Sequence, residues 1–446
     1  MLGTVRNQSR PLVSFNKLPA EIIVNILSLI DNTCIVKPYR PESATAEAPL
    51  FPLAAVSIAS KSLRNTAISA PSLWTHVDLP IGWSCEAAYL CYARSCLRYS
   101  GKRPLYVHIA DNKDEHKGYQ GADIAALLAP HAHRIDSISF HTTSDLARGM
   151  LLELFGNTSS YRTKELCLND GNVTYYRRYT SPKLFDDRLA GFLQHLKTVG
   201  IKGPVLSLES VAFRGLTCLK LSVRDSVKSP PTLVHLAHVL TACPELRALS
   251  LINYRFNTSS EVSIKPVLLP KLELLDLREI TDTKDLFGLL SCIAPGSSTL
   301  ALGVSADHLS EDETAKLLDF IIQSNVTRLH LENPYTLSYS IKATPLLTRA
   351  IPALQELALC DYGSLDDLAN KYPLHVDRFP SLHTLHFLRC VSDSDNWRSL
   401  VAPSAIQAVY ADSYHGPLPE GVPLLKSRDY FGICEGEEDL EWPLLP

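Results

Sequence analysis

Apolar side chains recur at helical spacing near the start of the chain. They define one face of a helix that begins near Pro19, a residue suited to a helical first turn. That face consists of Ile22, Ile26, Leu27 and Ile30. Ile23 and Leu29 lie off this face and are also apolar. A helix that is apolar beyond one stripe is either deeply buried or in contact with a partner. The position of this helix at the start of the chain favours contact with a partner over deep burial.

A second helix and a tryptophan complete a small helical module over residues 15–74. Residues 31–52 contain four prolines and predict a long loop. Residues 53–69 repeat the helical spacing, and Pro71 ends that helix. Trp74 follows, just before a strand-like segment at residues 75–79. Because burial of an indole ring removes about 150–250 Å² from water, we expect Trp74 to pack in the core of this module. The module has more apolar surface than its short helices can bury among themselves.

A repeating pattern fills the rest of the chain, after a further helix at residues 85–100 and a strand at residues 104–109. Its form is Leu-x-x-Leu-x-Leu, with clear copies starting at Leu246, Leu272, Leu354 and Leu382. The central apolar residues of successive copies are Leu249, Leu275, Leu300, Leu329, Leu357, Leu385 and Val409. The spacing of 24 to 29 residues agrees with the period of about 20–29 residues that is typical of leucine-rich repeats.

Helices are predicted between these copies, at residues 232–240, 283–293 and 311–323. Ser310 and Glu313 form a capping box at the start of the last of them. Each repeat is therefore a strand, a turn and a helix, and stacking buries the apolar faces that one repeat cannot bury alone. The predicted fold class is α/β: a small helical module followed by an irregular solenoid, with parallel strands on the concave face and helices on the convex face.

The composition of the chain limits the classes of function that the sequence favours. The chain has 446 residues, a net charge of −4, 46% hydrophobic and 20% charged residues, which is typical of a folded protein. Its basic residues are scattered apart from a small cluster at residues 175–179, which is a weak candidate for nucleic-acid contact. The first ten residues are polar, so we expect no secretory signal, and no run of about 20 apolar residues appears in the sequence. The eleven cysteines lack a CxxC pair, so we expect reduced thiols in the cytoplasm or nucleus.

No catalytic arrangement stands out in the sequence. There is neither a glycine-rich phosphate loop nor a Gly-x-Ser-x-Gly motif. His131 and His133 could pair at a metal, but no carboxylate or cysteine lies near them at a ligand-like spacing. We therefore expect no enzymatic activity, no cofactor and no metal site.

Three segments of the first 75 residues carry a family resemblance. They are Leu18-Pro19-x-Glu21-Ile22, Leu53-Ala54-Ala55-Val56-Ser57 and Pro71-x-Leu73-Trp74. Together they resemble an F-box, in the form abundant in mushroom-forming fungi, where degenerate leucine-rich repeats often follow. This resemblance implies an F-box at residues 15–78 with its long loop at 31–52. A flexible lead at residues 1–14, a repeat array at 80–434 that is capped by the helix at 85–100, and an acidic tail at 435–446 complete the expected organisation.

The resemblance also implies a function and a set of contacts. An F-box docks on a Skp-family adaptor, which links it to a cullin, and the repeat array would bind the protein to be ubiquitinated. The implied adaptor contacts are Leu18, Pro19, Glu21, Ile22, Ile23, Ile26, Leu27, Leu53, Val56, Ser57, Leu63 and Trp74. Candidate target contacts lie between or after the repeat leucines, at Arg247, Tyr254, Arg278, His330, Tyr362 and Arg389.

A second interpretation stays open, an interaction scaffold with no ligase role. Leu63 occupies a position where an aromatic residue is common in F-boxes, and the loop at residues 31–52 is longer than usual. Both features favour a divergent F-box that binds the adaptor weakly or not at all. In either interpretation the partners are proteins, with no membrane and no nucleic acid.

Overall fold

A computed structural model of the chain describes most of the predicted elements. The described residues are 18–34, 53, 60–81, 86–111, 121–156, 161–170, 187–203, 213–223, 231–257, 264–280, 282–296, 299–305, 309–333, 345–362, 378–388, 390, 406–411 and 424–426. They form a mixed α/β structure dominated by parallel strands. The chain divides into two compact units, Met1–Ile138 and Ser139–Pro446.

The described elements are labelled in chain order. The α-helices are α1 (Ala20–Cys34), α2 (Lys61–Ile68), α3 (Glu86–Tyr99), α4 (Ala122–Leu128), α5 (Ser144–Phe155), α6 (Ala190–Leu193), α7 (Leu233–Thr241), α8 (Thr283–Cys292) and α9 (Glu311–Gln323). The strands are β1 (His76–Ile81), β2 (Leu105–Asp111), β3 (Ile135–His141), β4 (Glu165–Asn169), β5 (Thr198–Gly203), β6 (Cys218–Val223), β7 (Ala248–Ile252), β8 (Val267–Leu269), β9 (Leu274–Leu277), β10 (Ile293–Pro295), β11 (Leu300–Ser305), β12 (Val326–Glu332), β13 (Glu356–Cys360), β14 (Thr384–Leu388), β15 (Ala408–Ala411) and β16 (Leu424–Lys426). Short 3-10 helices lie at Pro71–Trp74, Ala129–Arg134, Asp187–Leu189 and Pro345–Thr348.

Helix α1 begins directly after Pro19. The Pro19 carbonyl accepts hydrogen bonds from the backbone N–H groups of Ile22 and Ile23, both at 3.1 Å. Ile23 and Leu27 are four residues apart and both are buried, so they form the inner face of the helix. With that face α1 packs on α2 and on the 3-10 helix that ends at Trp74.

Trp74 is the centre of this packing. Only 4% of the residue is exposed, and its Nε1–H donates a 2.7 Å hydrogen bond to the carbonyl of Ala67 at the end of α2. The centroid of its ring system lies 5.1 Å from that of Tyr99 and 6.1 Å from that of Tyr92, both on α3. The predicted core role of Trp74 is confirmed, and the residue ties the helical module to the segment that follows it.

The first unit continues well past the predicted end of the helical module near residue 78. Strands β1 and β2 pair in parallel, and α3 packs on β1. Arg134 is buried and anchors the carboxyl end of α3: its guanidinium donates to the Leu97 carbonyl at 2.7 Å and to Ser100 Oγ at 3.0 Å. These contacts hold the chain up to Arg134 within the first unit, and the boundary between the compact units lies at residues 138 and 139, within β3.

A stack of half-buried rings lies across β1 and β2. His76 stacks on Tyr106 with ring centroids 4.9 Å apart, and on His108 at 6.3 Å. Burial lowers the pKa of His76 to about 4, with His108 lowering it further and Asp78 raising it. Burial also lowers the pKa of His108 to about 4, and it raises the pKa of Asp78 above its usual value, against the effect of His76.

We expect this stack to make the first unit less stable in acid. Both imidazoles are held neutral in the folded state, whereas they titrate near pH 6.5 when unfolded. The stabilisation that the two neutral imidazoles provide is therefore present above pH 6.5 and is lost as the pH falls toward 4, whereas the raised pKa of Asp78 has an effect of opposite sign. Between pH 7 and pH 5 each imidazole should lower the free energy of unfolding by about 2 kcal/mol, and Asp78 opposes this loss. Urea unfolding measures the net change.

The double variant His76→Gln, His108→Gln should lose much of this pH dependence. His133→Gln serves as the control because His133 is exposed. An equal pH dependence in the wild type and in the double variant would contradict the assignment.

The second unit is dominated by one parallel sheet. Its strand order is β4-β5-β6-β7-β9-β11-β12-β13-β14-β15-β16, so that neighbours follow the chain, while β8 and β10 form a separate pair. One apolar residue from each strand of this order from β4 to β15 lies in register across the sheet, and each is buried. This row is Leu166, Val199, Leu219, Leu249, Leu275, Leu302, Leu329, Leu357, Leu385 and Val409. The predicted parallel sheet is confirmed.

One member of the predicted series is wrong. The sequence pattern gave Leu300 as the central residue of its copy, but Leu302 occupies that place, paired with Leu275 and Leu329. Leu300 pairs instead with Val326, and the register shifts directly after it. Because side chains alternate in a strand, residues two apart share one face, so the incomplete copy did not distinguish Leu300 from Leu302.

The predicted helices of the second unit are also present. Helix α9 occupies the predicted residues, and its capping box is formed: the Ser310 N–H donates to Glu313 Oε2 at 2.9 Å and the Glu313 N–H to Ser310 Oγ at 3.3 Å. At α7, Thr232 is the cap and accepts from the His235 N–H. Helices α7, α8 and α9 pack on one another in chain order, with buried leucines such as Leu240 and Leu289 on their inner faces.

Candidate functional site

The outward side of α1 is an exposed surface that begins with its first turn. Pro19, Ala20 and Glu21 are exposed there. Ile22 follows with 45% of its surface accessible, although its neighbour Ile23 is buried. Leu18 and Ile26 are half-buried. This surface therefore combines apolar side chains with a single carboxylate at the positive end of the helix dipole.

Exposure of a large apolar side chain is uncommon in the described part of the chain. Four such residues are Ile22, Ile68, Leu268 and Ile322. Two of them, Ile22 and Ile68, belong to helices α1 and α2 of the same small module. Scattered apolar residues on a surface are ordinary, so the meaning of Ile22 depends on its place beside the exposed first turn of α1.

Four of the predicted adaptor contacts are buried in the described structure. Ile23, Leu27, Leu53 and Trp74 are each less than 5% exposed, because the inner face of α1 and the indole ring fill the core of the module. Leu63 is half-buried. Val56 and Ser57 lie outside the described residues, and so do the side chains of Leu29 and Ile30. Of the predicted adaptor contacts on or just before α1, the surface therefore keeps Leu18, Pro19, Glu21, Ile22 and Ile26, with Leu18 and Ile26 half-buried.

Most of the predicted target contacts are buried as well. Tyr254, Arg278, His330 and Tyr362 are all buried, so the described structure does not present them on a surface. Arg389 lies outside the described residues. Arg247 is exposed and lies 3.5 Å from Glu273 on the neighbouring repeat. It is the one predicted target contact that the described residues leave on the surface.

The two tyrosines are buried because of the backbone turn that precedes each of them. Asn253 and Asp361 have left-handed backbone conformations, with φ of 50° and 60°, and Tyr254 and Tyr362 come directly after them. The equivalent position after β9 holds Ile280, also buried and also preceded by a left-handed residue. Its apolar character was the sequence signal that this position faces a core.

Arg278 is buried by an ion pair that the sequence did not reveal. Its Nε lies 2.8 Å from Asp276 Oδ1, and its Nη2 donates to Asp276 Oδ2 at 3.0 Å. Ser250 Oγ donates to the same Oδ2 at 3.2 Å. Gly303 leaves room for the pair, since a Cβ there would lie 2.9 Å from Asp276 Oδ1 and 3.3 Å from Arg278 Cγ. The face of the sheet opposite the leucines is thus packed with polar groups near Asp276.

Exposed charges of the second unit instead lie just before the strands. Arg247 and Glu273 precede β7 and β9, and the Glu273 N–H donates to the Arg247 carbonyl at 2.8 Å. Nearby, Lys271 forms an exposed ion pair with Glu245. Residues at this edge can be varied without disturbing the leucine row, which is the property that a recognition surface needs.

No family model and no curated protein matches the chain. Within the described residues, no helix combines the length and the apolar character needed to cross a bilayer.

Proposed function

We propose that this protein is the substrate-recognition subunit of a Skp-cullin-F-box ubiquitin ligase. The first unit would contain the F-box, which docks on a Skp-family adaptor, and the second would bind a target protein. The protein itself would make and break no covalent bond. One observation carries the proposal: Ile22 is 45% exposed on α1, beside Pro19 and Glu21, while the opposite face of the same helix is fixed in a core.

This arrangement suits docking for a physical reason. The core around Trp74 holds α1 rigidly, so its outer face is ordered before a partner arrives. A rigid surface loses little conformational freedom on binding. An interface of standard size buries about 800 Å² on each partner, more than the first turn of α1 offers. We therefore place Ile22 near the centre of the interface, with α2 and its exposed Ile68 contributing further area.

We also propose that the second unit is an irregular leucine-rich-repeat solenoid. The buried leucine row, the parallel strand order and the helices that pack in chain order support it. The target would bind at the edge formed by Arg247, Glu273 and the equivalent residues of neighbouring repeats. Mixed charges at this edge fit a protein partner, since complementary charge steers and orients association.

The test is binding of the purified full chain to a purified Skp-family adaptor, measured by isothermal titration calorimetry. We expect Ile22→Asp to weaken binding at least tenfold, because a carboxylate would be buried without a partner. The matched control is Ile322→Asp, which places the same charge at an isoleucine that is 53% exposed on α9. It should bind like the wild type.

The outcomes of this binding test distinguish the ligase subunit from the interaction scaffold. Binding that survives Ile22→Asp, with the fold intact by circular dichroism, would contradict the assignment of the docking surface. A folded wild-type chain that binds no adaptor and recovers no cullin would contradict the ligase role and support the interaction scaffold.

A further inference from the structure

Three potential metal ligands converge at the carboxyl ends of β12 and β13. Glu332 is the last residue of β12 and pairs in register with Cys360, the last residue of β13. Asp361 follows in a left-handed conformation, with φ of 60°. One ligand atom from each of the three lies within 4.8 Å of the other two. Cys360 Sγ is already 3.3 Å from Asp361 Oδ2.

These groups are shielded from solvent. Glu332 and Cys360 are buried and Asp361 is half-buried. Carboxylates crowded together in a buried place favour a cation among them.

We propose that Glu332, Cys360 and Asp361 bind one divalent transition-metal ion, with Zn²⁺ as the best match. A thiolate with two carboxylates suits a borderline ion better than Mg²⁺ or Ca²⁺, which take oxygen ligands. Zinc bonds of about 2.3 Å to sulfur and about 2.0–2.2 Å to oxygen place tetrahedral ligand atoms about 3.5 Å apart. The distance from Cys360 to Asp361 meets this already, and Glu332 needs only a side-chain adjustment.

Binding of the metal ion requires the loss of one proton from the protein. The Cys360 thiol must lose its proton to become a ligand, and the metal–sulfur bond forms as that proton passes to solvent. The Cys360 contact to Asp361, a thiol beside a carboxylate oxygen, places an acceptor where the proton leaves. Three protein ligands leave a fourth tetrahedral position for water. This site lies in the second unit and does not depend on the proposed adaptor docking.

Cobalt(II) is a suitable probe because it replaces zinc and absorbs light when bound to a thiolate. The full chain, freed of metal by a chelator, should bind one Co²⁺ with a sulfur-to-metal charge-transfer band, and excess Zn²⁺ should remove the band. We expect Cys360→Ser to abolish the band and Asp361→Asn to weaken Co²⁺ affinity at least tenfold. The matched control is Cys390→Ser, since Cys390 is also buried and its Sγ contacts the Leu359 carbonyl at 3.4 Å.

Two results would overturn the proposal. One is a folded wild-type chain that shows no thiolate band with Co²⁺; the other is a band that persists in Cys360→Ser. Should the serine variant fail to fold, Asp361→Asn decides the question, because asparagine accepts the left-handed backbone of this position. Unchanged Co²⁺ affinity in that variant contradicts a role for Asp361 and with it the three-ligand site.

Discussion

Replacing Trp74 with alanine should destabilise the first unit by about 3–5 kcal/mol, as removal of a large buried aromatic side chain usually does. The loss has three sources: the apolar area of the indole, its ring contacts with Tyr92 and Tyr99, and the hydrogen bond to the Ala67 carbonyl. Urea unfolding followed by far-ultraviolet circular dichroism measures the change. Since typical domains are stable by about 5–15 kcal/mol, the variant should also lose binding through partial unfolding.

Trp74→Phe separates the ring from the hydrogen bond. It keeps most of the packing and removes the Nε1–H donor, while the Ala67 carbonyl still accepts from the Ala70 N–H at 3.2 Å. The loss of one hydrogen bond should therefore cost about 0.5–1.5 kcal/mol. Ser72→Ala is the control from the same 3-10 helix, because Ser72 is exposed and such changes stay within about 0.5 kcal/mol. A loss below 1 kcal/mol in Trp74→Ala would contradict the central place of the indole.

The sequence predicted the elements of the first unit better than its surface. Helical spacing located α1, and the isolated tryptophan pointed correctly to a core. The spacing assigned Ile22 and Leu27 to one face, yet Leu27 is buried while Ile22 is exposed. Which part of an apolar helix faces inward depends on where α2 and the Trp74 ring lie. That information comes from tertiary packing and is absent from the spacing of α1 itself.

In the second unit the leucine pattern alone was enough to predict the parallel sheet, because each repeat places its apolar residues at the same two positions of a strand. The residues between the leucines were harder to predict. An arginine after a strand ordinarily indicates a solvent-exposed position. Arg278 is buried because Asp276, two residues earlier on β9, provides a charge for it and Gly303 on the neighbouring strand β11 leaves space for it. Likewise, Glu332 and Cys360 are 28 positions apart and meet only through strand register.

The buried ion pair of the second unit provides a prediction of similar size to that for Trp74. Asp276 is 1% exposed, and Arg278 holds it with two hydrogen bonds. Arg278→Met keeps much of the side-chain volume but strands a buried carboxylate, which costs about 3–5 kcal/mol. The free energy of unfolding from urea titration should fall by that amount.

A second substitution tests whether the uncompensated charge of Asp276 causes the loss of stability in Arg278→Met. Adding Asp276→Asn to Arg278→Met removes the charge, so the double variant should regain at least half of the lost stability. Arg247→Met is the matched control, because Arg247 pairs with Glu273 at 3.5 Å on the surface, where such pairs contribute about 0–1 kcal/mol. A double variant no more stable than Arg278→Met would mean that Arg278 stabilises the sheet through the packing of its stem across Gly303 and not through its charge.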